Sequence, residues 1–210
     1  MFKTLDHQFT MQQLKVAFEE ERPLYINFRA GIGSDTTQDL TQILGVMQAM
    51  SIKESHILLS SPGGLVARGI ELHNFLHSLS INLFIHNSGT IDSIANTVFV
   101  APRSEMRSAE PNARFMFHGV TRSFNGGASE IDMQEGLRAI QRDQRAIADT
   151  INRQTKMSLR EIKRAFGGER IFTPEEAQKR GIIHEIKQLE IPPDAMIISI
   201  FDPPRQRDDA

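Results

Sequence analysis

The 210-residue chain contains no cysteine, no tryptophan and one tyrosine. Without cysteine there can be no disulfide, no thiolate zinc site and no cysteine nucleophile. The absence does not place the protein in a redox compartment, so the cytoplasm is the default expectation. Neither sign of charge dominates. Twenty-four Lys and Arg against 26 Asp and Glu leave a formal charge of −2, which gives no electrostatic case for nucleic acid or an anionic membrane surface. Long hydrophobic runs are missing too. Nothing approaches the roughly 20 apolar residues of a membrane span, and Met1–His7 carries no signal-like apolar stretch. Phosphate-loop and dinucleotide fingerprints are lacking, no metal site is expected among the histidines, and no cofactor is called for.

What is present is ordinary for one globular domain: 40% apolar and 24% charged residues. Short apolar runs alternate with helical spacing. Leu24–Phe28 reads as a strand, and Asp35-Thr36-Thr37 offers N-cap chemistry to a helix carrying Leu40, Ile43, Leu44 and Met47. His56–Leu59 is a second strand. A helix with Val66, Ile70, Leu72, Phe75, Leu76 and Leu79 follows, and Ile81–Ile85 is a third strand. Ser93–Val100 reads as a buried helix, and Arg114–Phe117 as a strand ending at His118. This alternation predicts an α/β fold of repeated β-α-β units.

After Asn125-Gly126-Gly127 the pattern changes. Residues from about 128 to 155 form one long charged helix with Met133, Leu137, Ile140, Ile147 and Ile151 along a narrow stripe. Such a stripe is covered either by the chain's own sheet or by a second subunit. A helix over Leu159–Phe166 and another starting at Thr173-Pro174 follow. Gly181–Ile186 then reads as a short strand, Ile197–Phe201 as an edge strand, and residues 202–210 as a disordered tail.

Three places carry candidate chemistry. Ser61-Pro62-Gly63-Gly64 ends a strand. Taken alone it is a tight turn, but bare glycine backbone can also hold an oxyanion or pair with an extended peptide. Ser93 opens a helix four residues after Gly89. Its hydroxyl can cap that helix, or act as a nucleophile with the N–H of Ile94 as a second oxyanion donor beside Gly64. His118 stands out among seven histidines because it ends a core strand, where open α/β sheets place their sites.

In these residues the chain resembles the proteolytic subunit of the Clp protease, within the ClpP/crotonase-like fold. The resemblance runs from about Leu24 to Ile186. Its anchors are Ser61-Pro62-Gly63-Gly64, Gly89-x-x-x-Ser93, Arg114–His118, and Phe172–Ala177 leading to Gly181-Ile182-Ile183. It implies a serine endopeptidase, a hydrolase with Ser93 as nucleophile, His118 as general base, and Gly64 and Ile94 as oxyanion donors. An extended peptide or unfolded protein substrate would lie along Gly63 and Gly64. The resemblance also implies a protruding "handle" helix over about 128–155 and homo-oligomeric rings that enclose a chamber. Residues 24–201 would form the peptidase domain.

Three departures stand beside these implications. Glu169 occupies the position of the family's aspartate, the third member of the triad. Asp92 sits next to the nucleophile, where a small residue is usual, and could raise the histidine's pKa or point away into a hydrogen-bonded pocket. Residues 1–23 do not resemble the family's N-terminal segment, which forms the axial loops that meet an AAA+ unfoldase, and this argues against such docking. Asp92 and Glu169 keep open a second reading, a catalytically weak ring or scaffold protein. A third is a crotonase-type enzyme acting on acyl-CoA thioesters, which needs the oxyanion hole but not the Ser–His pair.

Overall fold

Leu24, Ile26 and Phe28 alternate along β1 (Leu24–Arg29) and turn one strand face into the core, the period of two that a sheet requires. The computed structural model describes residues 23–124 and 126–202, together with Gln12, Lys15, Val16 and Glu19. The segment 1–23 and the tail 202–210 set apart by the sequence therefore fall almost entirely outside the described residues.

The other strands are β2 (Glu54–Ser61), β3 (Asn82–Asp92), β4 (Arg107–Ala109), β5 (Arg114–Phe117), β6 (Arg170–Phe172), β7 (Glu185–Ile186) and β8 (Met196–Phe201). They form one sheet in the order β6-β5-β3-β2-β1-β8, with β4 joined to β3 and β7 to β4. Every pairing is parallel except β5 with β6. Helices α1 (Ser34–Ala49) and α2 (Val66–Ser78) connect consecutive parallel strands, as the alternating pattern predicts.

Two local expectations are corrected. Asp35 does not cap α1. The cap is Gly33, and the Thr36 hydroxyl accepts the Gly33 N–H at 3.1 Å while donating to the Gly31 carbonyl at 2.6 Å. The third strand does not stop at Ile85 but runs to Asp92, because Gly89 is tolerated inside it and Ile91 is fully buried. This long strand forks. Its first half pairs with β4 (Ile85↔Arg107) and its last turn with β5 (Asp92↔Met116). Helix α3 (Ala95–Phe99) accordingly starts later than Ser93.

The long helix α4 (Glu130–Gln154) is capped at Ser129, whose hydroxyl accepts the Asp132 N–H. Its two halves have different surroundings. Ile147, Ala148 and Ile151 are buried, whereas Ile131, Met133 and Leu137 are 68%, 54% and 56% exposed. The chain's own body covers one half of the apolar stripe and leaves the other uncovered. Helices α5 (Leu159–Gly167) and α6 (Pro174–Lys179) follow, the second held by a Thr173–Glu176 capping box.

One buried charge ties these parts together. Arg107 is 1% exposed, and among the described residues it forms no salt bridge. Its Nε donates to the Pro102 carbonyl (2.7 Å), and its Nη1 to those of Gln154 (2.8 Å) and Gly181 (3.4 Å). Burial lowers its pKa to about 10, so it stays charged at neutral pH.

Two buried histidines make stability depend on pH. His73 bonds the Thr97 carbonyl at 2.8 Å, and His86 lies between Ser108 Oγ (2.9 Å) and Glu110 Oε1 (3.2 Å). Burial depresses both pKa values below 6.5, and for His86 it outweighs the opposing pull of Glu110. Below about pH 6.5 the unfolded chain therefore takes up protons that the folded chain refuses, and stability falls. The unfolding midpoint measured by calorimetry is expected to drop between pH 7 and pH 5, above the range where carboxylates protonate. A midpoint constant over that interval would contradict the depressed pKa values.

Candidate active site

The ends of β2, β3 and β5 and the start of β6 meet at one edge of the sheet, the carboxyl edge for the parallel strands. The register explains who meets whom. Ser61 pairs with Ile91, so two residues further on Gly63 falls beside Ser93. The approach is too close for a side chain. A Cβ on Gly63 would lie 2.7 Å from Ser93 Cβ and 2.8 Å from the Asp92 carbonyl. Gly63 and Gly64 also have φ of 88° and 151°, where L side chains are strained.

The Gly63 carbonyl accepts from Ile32 N–H at 2.7 Å, and Leu65 N–H donates to the Ile32 carbonyl at 2.8 Å. In a trans peptide the C=O and the following N–H point in opposite directions. With the Gly63 carbonyl fastened to Ile32, the Gly64 N–H turns to the other side, toward β3. It has no partner among the described residues, and Gly64 is exposed.

Ser93 sits at φ 58°, outside the helix that follows. Only Ser51, Ser93 and Glu169 among the described non-glycine residues have positive φ, so two of the three are residues singled out from the sequence for catalysis. The Ser93 hydroxyl caps no helix and makes no hydrogen bond among the described residues. Its backbone N–H is held by the Met116 carbonyl at 2.9 Å. The fully buried Asn96 amide bonds that carbonyl (2.8 Å) and those of Ser93 (3.1 Å) and Ile91 (3.3 Å). The turn is therefore braced from below. Ile94 N lies 3.3 Å from where a Gly63 Cβ would be and has no partner among the described residues. Its side chain is pinned by α2, where a Cβ on Gly69 would overlap Ile94 Cγ1.

His118 follows β5 directly and is half-buried. Its Nδ1 lies 2.7 Å from the Gly119 carbonyl, which can only accept. The proton is thus on Nδ1, and Nε2 is left as the acceptor. No hydrogen bond joins His118 to Ser93 or to Glu169 among the described residues. Glu169 is exposed, at φ 48°, and precedes β6. Phe117 pairs with Arg170 in the antiparallel ladder, so the next step of the register sets Glu169 across from His118.

Asp92 points away from the nucleophile. Its carboxylate is buried, accepts from Thr90 Oγ1 at 2.6 Å and pairs with Arg114 at 3.2 Å, which ties the end of β3 to β5. The Asn96 brace, the Ile32 tie and the Arg114 partner were not found from the sequence. Asn96 alone left a signal, as one of two polar residues, with Thr97, in an otherwise apolar helix. His73 and His77 stand at the i, i+4 spacing of zinc-binding helices. They stack on each other at 5.9 Å, and their Nδ1 atoms meet the Thr97 and Ala101 carbonyls. Among the described residues no group of three or more acidic or histidine side chains could hold a metal.

The forked β3, the parallel strands ending at one edge and the long outlying α4 define an α/β protein of the ClpP/crotonase-like fold. The chain belongs to the Clp protease family, whose model matches residues 11–190. It is also similar to a solved structure of a ClpP1 point mutant from Listeria monocytogenes. The two share 23% identity and a TM-score of 0.65 over 86% of this chain and 96% of that one, a likeness that speaks for the fold. No helix among the described residues is long and apolar enough to cross a membrane.

Proposed function

We propose that this chain is a serine endopeptidase of the Clp type, and that Ser93, held at φ 58° against the bare backbone of Gly63, is the observation that carries the reading. Strain of this kind persists only where surrounding structure over-determines it, and it clusters at functional turns. An extended peptide lies along Gly63 and Gly64. His118 Nε2 takes the Ser93 proton as Oγ bonds to the substrate carbonyl carbon. The N–H groups of Gly64 and Ile94 receive the oxyanion, His118 protonates the departing amine, and water then hydrolyses the acyl-enzyme. The missing Ser93–His118 bond is compatible with this sequence of steps, because such contacts commonly tighten only with substrate bound.

Glu169 is the carboxylate that completes the set by stabilising the His118 imidazolium, with the Gly119 carbonyl holding the resting tautomer. Replacing Glu169 with Gln is expected to lower kcat about 10- to 100-fold with KM little changed. That is less than the ~10⁴-fold loss known for a triad acid acting alone. An unchanged kcat would leave Gly119 as the sole orienting group.

The uncovered half of α4, with Ile131, Met133 and Leu137, supports ring stacking into a closed chamber. The His118–Gly119 bond, taken without Glu169, favours the weakly catalytic scaffold instead. Fluorophosphonate labelling separates the two. Modification of Ser93 with turnover of short peptides supports the peptidase, and well-folded protein that neither labels nor cleaves would overturn it. Native mass spectrometry tests the ring, and a stable monomer would remove the chamber.

A further inference from the structure

The family match ends at residue 190, yet the chain continues into β8, which pairs with β1 along its whole length, from Leu24↔Met196 to Arg29↔Phe201. The next residue, Asp202, reaches back across the strand ends, and its Oδ1 accepts the Gly31 N–H at 2.9 Å. Gly31 begins the turn whose next residue, Ile32, holds Gly63 and Leu65. The same turn is gripped from the other side by Thr36, which donates to the Gly31 carbonyl at 2.6 Å. A Cβ on Gly31 would lie 3.4 Å from Asp202 Oδ1 and 3.5 Å from the Gly63 carbonyl, so the two contacts converge on one small turn.

We propose that Asp202, delivered by β8, is a positioning residue for the oxyanion hole: it locks the Gly31–Gly33 turn, and that turn sets the direction of the Gly64 N–H through Ile32. The inference rests on the serine-peptidase reading for its catalytic consequence but not for its structural part. The physical chain is short. The Asp202 carboxylate fixes the Gly31 peptide with a charge-assisted bond. The fixed turn holds Ile32 where its N–H and C=O clasp Gly63 and Leu65. Gly63 lacks a Cβ and has more backbone angles open to it than an L-residue, so this clasp, beside the 3.2 Å bond from its N–H to Ser61 Oγ, helps select one of them. An oxyanion donor contributes to the rate only if it is already aimed when charge develops. Asp202 touches neither substrate nor the reacting atoms, so it acts entirely through this relay.

The test uses the full chain with Asp202→Ala and Asp202→Asn. The asparagine keeps an acceptor oxygen for the Gly31 N–H and serves as the conservative rescue. Two readouts are taken. Amide hydrogen exchange at Ile32 and Leu65 reports the clasp whether or not the protein is active. The rate of fluorophosphonate inactivation, with kcat and KM on a short peptide, reports the oxyanion hole. Asp202→Ala is expected to speed exchange at both amides by tenfold or more. It is also expected to slow inactivation and kcat three- to tenfold at unchanged KM, and Asp202→Asn to restore most of both. Unchanged exchange at Ile32 and Leu65 would overturn the relay. Faster exchange with unchanged inactivation would overturn the positioning role. A wild-type chain that never labels would instead sink the peptidase reading and leave the clasp to be judged by exchange alone.

Discussion

Ser93→Ala is expected to abolish fluorophosphonate labelling and to cut peptide turnover by about 10⁵- to 10⁶-fold, the scale set by removing a serine nucleophile elsewhere. The residual rate would come from the Gly64 and Ile94 N–H groups and from substrate binding. The same position offers a second, independent reading of the turn. Ser93 is held at φ 58°, a conformation that costs an L-residue about 1–2 kcal/mol and glycine almost nothing. Ser93→Gly should therefore be as inactive as Ser93→Ala but more stable by about 1 kcal/mol, after the entropy glycine loses on folding is set against the relief. Mass spectrometry of labelled protein and denaturant melts of the two variants check both statements. Turnover surviving in Ser93→Ala would assign the nucleophile elsewhere. A glycine variant less stable than the alanine variant would mean the turn is not strained.

The largest effect on stability is expected at Arg107. Changing it to Met would leave the carbonyls of Pro102, Gln154 and Gly181 without their buried donor. Hydrogen bonds to a charged group contribute about 1.5–3 kcal/mol each, and each buried orphan carbonyl costs about 1–3 kcal/mol. Removing the cation also removes its own desolvation penalty, which offsets part of the loss. The net expectation is a destabilisation of about 3–5 kcal/mol, a large fraction of the 5–15 kcal/mol typical of a domain. At about 2–4 °C per kcal/mol for a chain of this size, the midpoint would fall by roughly 6–20 °C. Arg107→Lys should be intermediate, because an ammonium cannot present the planar fork that reaches three carbonyls. A loss below about 1 kcal/mol for Arg107→Met would show that desolvation had cancelled these bonds.

Most strands and helices were legible because period two and period 3.6 leave different marks on an apolar pattern. Leu24, Ile26 and Phe28 announce β1, and Thr173-Pro174 announces α6. The short strands β4 and β6 were not legible, because three residues carry no period. The end of β3 was missed for a related reason: Ser88, Gly89 and Thr90 carry no apolar period, and β5 pairs with the strand only from Thr90 onward. Asp92 was legible as a carboxylate beside Ser93 but not as the partner of Arg114, a contact 22 residues away that only the β3–β5 register creates.

The candidate site divides along the same line. By itself the sequence determined the parts: a Gly-Gly turn after a strand, a serine before a buried helix, a histidine ending a strand, and the order that marks the Clp protease family. These are local choices, written in residue type and spacing. Only the tertiary structure decided how the parts are held. It set Gly63 against Ser93, hung Ser93 and Asn96 on the Met116 carbonyl, turned the His118 Nδ1–H onto the Gly119 carbonyl, and brought Asp202 back to the Gly31 turn. Each of those contacts joins residues far apart in the chain or depends on a backbone angle. Neither is encoded at any single position, because both arise where separate strands end at one edge of the sheet.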